Sequence, residues 1–153
     1  MATNLQLGER MRTTYGSVDQ GNQRPSTNIR SSLAGRLVAP PTNWWRMRSP
    51  YYFSKRDVRA IRETLLRTDL VEDADWFPAV GGDAALAIGI AIKALKINGM
   101  RNPLTDAVMS AVLCCAVEGD PAAKVVMLSA LRRRAKIDPI CHGLRLRWLN
   151  ARF

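Results

Sequence analysis

A chain of 153 residues, 47% of them hydrophobic, is long enough for one folded domain and too apolar for wholesale disorder. Its 23 Lys and Arg against 13 Asp and Glu leave +10, a balance suited to polyanionic or acidic partners. Three cysteines, Cys114, Cys115 and Cys141, are too few and too oddly numbered for a disulfide framework. They read as small buried hydrophobes in a reducing, intracellular setting, the cytoplasm first.

The charge is unevenly placed. Residues 1–56 carry +7, residues 57–131 carry −3 and residues 132–153 carry +6. A slightly acidic, apolar body with basic ends is the arrangement expected of a protein that meets a polyanion or an acidic surface.

Residues 1–43 read as a flexible basic arm. Gly, Ser, Thr, Asn, Gln and Pro dominate, and the few apolar residues recur without a period. Residues 1–12 lack an apolar stretch of signal-peptide length, so no secretory signal is expected. The acid-poor, Arg- and Ser/Thr-bearing start leaves an organellar targeting role open, against which stand Glu9 and the lack of an amphipathic helix. The run from Ala84 to Ile97 is about 14 residues and carries Lys93 and Lys96, so no transmembrane span is expected, since one needs about 20.

Next comes an aromatic segment, Trp44, Trp45, Arg46, Met47, Arg48, Ser49, Pro50, Tyr51, Tyr52, Phe53. Clustered aromatics with interleaved Arg suit base stacking or a lipid interface. They equally suit a protein-partner anchor, or plain packing that fixes how the chain enters the first helix. Packing is the first expectation. Trp44, Trp45, Arg46, Arg48, Tyr51 and Tyr52 are the partner-binding candidates of this segment.

A helical domain is expected over residues 44–138, all-α, as a compact bundle of about four helices between Ser54 and Lys136. Ser54 with Asp57 three residues on is a capping-box variant that starts the first helix. Val58, Ile61 and Leu65 mark its buried face, and Arg59 and Arg67 are each placed to pair with Glu63. Asp69, Glu72, Asp73 and Asp75 form an acidic loop without the order of a calcium loop. It reads as solvated, with pairing to the basic tail as the other option. Trp76, Phe77 and Pro78 are expected at the core edge.

Asp83 is the expected N-cap of the second helix, and its charge opposes an anion at Gly81-Gly82. That helix, apolar on all sides through Ile92, is expected to be the central one. Asn98-Gly99 should end it. Asn102-Pro103 starts the third helix, whose narrow polar side is Asp106 and Ser110. Gly119 ends it, and Asp120-Pro121 starts the fourth, forcing a helix hairpin. The fourth helix turns basic at Arg132, Arg133, Arg134 and Lys136, which suits a helix C-terminus electrostatically. Residues 139–153 form a short basic tail with Arg145 and Arg147. Its alternation fits an edge strand, and a helix with Leu144, Trp148 and Ala151 on one side fits equally.

No reaction can be named. Cys141-His142 holds the sole histidine and lacks metal-ligand spacing, and no nucleophile elbow is present. No cofactor, metal or catalytic residue is therefore assigned. The leading expectation is a non-catalytic accessory or assembly protein with an acidic or polyanionic partner. Its alternatives are a non-sequence-specific nucleic-acid binder, contacting phosphates, and an enzyme of unnamed reaction. The basic candidates are Arg132, Arg133, Arg134, Lys136, Arg145 and Arg147.

Overall fold

Local stop and start signals set the helices. In a computed structural model, which describes residues 40–69 and 71–152, each expected cap is made. Ser54 and Asp57 close a full capping box at the head of α1 (Lys55–Leu66). Asp83 accepts from the Leu86 N–H at α3 (Ala84–Ile97), after a short α2 (Trp76–Gly81). Asn102 caps α4 (Pro103–Val117), and Asp120 caps α5 (Pro121–Arg134). Gly119, at φ 99°, makes the turn between the last two in a backbone region that side chains disfavour. Asp120 Oδ1 accepts from the Ala123 N–H at 2.7 Å. Asp120→Ala should therefore cost about 1 kcal/mol in urea unfolding, and Asp120→Asn, which still accepts, much less.

The described residues are all-helical, without strands. The count differs from four. Six α-helices are present among them, with two 3-10 turns at Pro41–Arg46 and Pro50–Tyr52. The two additions among the α-helices are α2 and α6 (Ile140–Asn150). In α2, Pro78 sits in the first turn, where a missing N–H breaks no helical bond. Trp76 is buried as expected at the core edge, but its neighbour Phe77 points outward, 66% exposed. The tail residues 140–150 are helix, not strand, and they bury Cys141, Leu144 and Trp148. This helix packs on α5, and the Trp148 ring meets Phe53 at 6.3 Å.

The central helix is α4, which corrects the assignment to the run Ala84–Ile92. Thr105 and every residue from Ala107 to Ala116 are buried. α4 touches α1, α3, α5 and the first 3-10 turn. α3 buries only one side: Ala87, Ile90, Ala91, Ala94 and Leu95. Ala85, Gly89, Ile92, Lys93 and Lys96 face outward. Alanine and glycine make a helix look apolar all round while exposing little apolar area, and the two lysines mark its wet side. No helix among the described residues is long and apolar enough to cross a membrane. Residues 1–39, most of the expected flexible arm, lie outside the described residues.

Candidate functional site

The aromatic segment is anchored on α4. Trp45 is fully buried, and its indole Nε1 donates to Asp106 Oδ1 at 2.9 Å. Arg46 grips the same carboxylate with two bonds, Nε to Oδ1 and Nη2 to Oδ2, both 2.9 Å. Ser110 Oγ lies 2.8 Å from the carbonyl oxygens of both Thr42 and Asp106, which share its single proton. The polar side of α4 thus faces the 3-10 turn Pro41–Arg46 and holds it. The hydrogen bond to Asp106 raises the Arg46 pKa further above its ordinary value, against the cost of partial burial.

Arg48 is held locally. Its guanidinium lies 4.4 Å over the Trp44 ring and 5.2 Å over the Phe53 ring, and Nη1 meets Asp57 Oδ1 at 3.0 Å. The Ser54 hydroxyl and N–H, with Arg48, keep the Asp57 carboxyl below its ordinary value despite some desolvation. Of the six candidates in this segment, Trp45 is removed from the surface, and Arg46 and Arg48 hold internal partners. Tyr51 and Tyr52 are presented, at 65% and 69% exposure.

The basic candidates separate into two groups. Arg133 Nη2 donates to the Leu95 carbonyl at 3.2 Å, and Arg134 Nη1 donates to the Met100 carbonyl. Both close orphan carbonyls at and beyond the C-terminus of α3. These bonds tie the end of α5 to the end of α3 and to the following loop. They bring Lys96 and Arg101, sequence neighbours of the two carbonyls, to the same end of the bundle as Arg132 and Lys136. None of Lys96, Arg101, Arg132, Arg133, Arg134 and Lys136 takes part in the ion pairs found among the described residues. The nearby Asp138 accepts from the Ile140 N–H at 3.2 Å and is in none of those ion pairs. Arg145 and Arg147 lie apart, on α6, either side of the 44%-exposed Leu146.

Sequence reasoning missed Lys96 and Arg101 because their neighbours in space lie about 35 residues away in the chain. The only signal was Lys93 and Lys96 breaking an otherwise apolar run. It also paired Arg59 and Arg67 with Glu63, and neither pair forms within 4 Å among the described residues. The α1 arginine that does pair is Arg62, whose Nη2 meets Glu118 Oε2 at 2.7 Å. That guanidinium crosses Gly82, where a Cβ would come within 2.9 Å of it. Beside this pair a groove of about 680 Å³ runs between α1 and the end of α4. In the acidic loop, Asp73 faces Lys93 at 3.9 Å rather than the basic tail.

The thiols are inert by placement. Burial pushes Cys114 from 9.0 up to about 12 and Cys115 up to about 11, and it also raises Cys141. At pH 8 the folded protein should resist a thiol reagent that labels all three cysteines once urea unfolds it. The same shifts fix a pH dependence. The neutral buried thiols contribute fully below about 9, and stability falls as pH rises towards 11–12, because the unfolded thiols ionise first. Among the described residues no three His, Cys, Asp or Glu side chains converge as a metal site would require. No protein-family model, curated protein or solved structure matches the chain.

Proposed function

We propose that this is a non-catalytic accessory protein that docks an acidic partner protein on the basic end of its bundle. The reading is supported by the bonds from Arg133 and Arg134 to the Leu95 and Met100 carbonyls, which join the segments carrying Lys96, Arg101, Arg132 and Lys136; none of these four is in an ion pair among the described residues. Two exposed isoleucines adjoin them in sequence, Ile97 at 71% and Ile137 at 42%. Phosphates gain nothing from aliphatic neighbours. A protein surface buries them and adds affinity, while the cations set approach and register. This moves the anchoring role from the tryptophans to the aliphatic rim of the basic end.

A second reading, nucleic acid held at its phosphates, rests on Tyr51 and Tyr52 standing exposed shortly before Lys55 and Arg56. Such a pairing suits stacking with charge. Affinity capture by the full-length chain, with and without nuclease, separates the two. The protein reading expects capture to survive nuclease and to fail when Lys96, Arg101, Arg132 and Lys136 are all changed to Gln. Loss on nuclease treatment would move the conclusion to nucleic acid.

A further inference from the structure

We propose that the groove beside α1 is a second docking site, for an amphipathic peptide segment with acidic residues at one end. Its use does not depend on the basic end. The groove takes in Lys55, Val58, Arg59, Arg62, Glu63 and Leu66, positions three or four apart along one face of α1. At 1.5 Å per residue this lining extends about 16 Å, the length of three helical turns. An elongated occupant fits that shape better than a compact metabolite.

The floor is apolar. Val58 and Leu66 line it with Phe53 and Val117, and Leu66 is left 51% exposed. One exposed Leu is ordinary, but one set in a concave apolar trough resembles the receptor side of helix-in-groove recognition. The charge is graded along the trough. Lys55 and Arg59 stand at its first end without an ion-pair partner among the described residues. At the far end Arg62 is neutralised by Glu118, and Glu63 adds a carboxylate outside those ion pairs. An occupant complementary to this pattern carries acids against Lys55 and Arg59, an apolar stripe at helical spacing over Val58 and Leu66, and no acid against Glu63. A single strand of nucleic acid is a poorer match. Its phosphates repeat along the whole length and would meet Glu63 and Glu118, and the aliphatic floor offers Phe53 alone for stacking.

The test is selection of binders from a random 16-residue peptide library by the full-length chain. Recovered peptides are then titrated by fluorescence anisotropy. The expected consensus has apolar residues three and four apart and acids towards one end. Leu66→Asp and Arg59→Glu should each weaken binding at least tenfold, and Leu66→Met and Arg59→Lys should retain it. Leu66 and Arg59 are surface positions, so circular dichroism of all four variants should match the parent. The proposal is overturned if no consensus emerges. It is also overturned if selected peptides bind Leu66→Asp as tightly as the parent, or if (dT)20 is the ligand that Leu66→Asp loses.

Discussion

Asp106→Ala should destabilise the protein by about 2–4 kcal/mol, the largest loss expected of any single polar substitution here. The carboxylate accepts three hydrogen bonds at 2.9 Å from two residues roughly 60 positions away. Its removal leaves the indole N–H of a fully buried Trp45 without its acceptor, and a largely enclosed guanidinium without its counter-charge. Breaking one side of such a pair costs more than the pair contributes when intact. Asp106→Asn should fall between, since an amide oxygen still accepts from the indole while the charge is lost. Trp45→Ala should cost a similar or larger amount through its cavity. Because the two residues share one network, the double variant should lose less than the sum. Additive losses in a urea-unfolding cycle would mean that Asp106 does not hold the aromatic segment.

The second large effect concerns binding. Changing Lys96, Arg101, Arg132 and Lys136 to Gln removes four cations that lie outside the ion pairs of the described residues. Each exposed charge pair contributes about 0.2–1 kcal/mol. Together they should lower affinity for an acidic protein about four- to several-hundred-fold at low salt, with a smaller difference as salt screens the parent. Melting should be little changed. Arg133 and Arg134 are left in place because their bonds to the Leu95 and Met100 carbonyls hold α5 on α3, so replacing them would mix binding with stability. The bond to Met100 matters most here, since it fixes the loop that carries Arg101. Were nucleic acid the partner, the same variant would instead flatten the log–log salt slope by about one unit for each phosphate no longer neutralised.

Much of the helix grammar was legible because it is local. Ser54 with Asp57, Asp83, Asn102-Pro103 and Gly119-Asp120-Pro121 each act on backbone groups within a few residues, so spacing alone identified them. What was not legible depended on distant partners. Nothing near Asp106 shows that its mates are Trp45 and Arg46, so an indole destined for the core was a fair candidate for stacking. The basic run at 132–136 looked uniform, yet two of its arginines bind carbonyls at the end of α3 and in the loop after it, and its other two cations do not. Lys96 and Arg101 joined that site only through the fold. The centre was misplaced for a different reason. Apolarity on every side distinguished neither α3 nor α4, and only packing showed which of them the other helices surround.

The central claim, that an acidic partner sits on the basic end, is tested most directly by zero-length carbodiimide coupling of the captured complex. This joins a lysine to a carboxylate only where they touch. The chain has five lysines: Lys55 on α1, Lys93 and Lys96 on α3, Lys124 on α5 and Lys136 just past it. The account predicts cross-links from Lys96 and Lys136 to carboxylates of the partner. Cross-links confined to Lys55, Lys93 or Lys124, with none from Lys96 or Lys136, would contradict it.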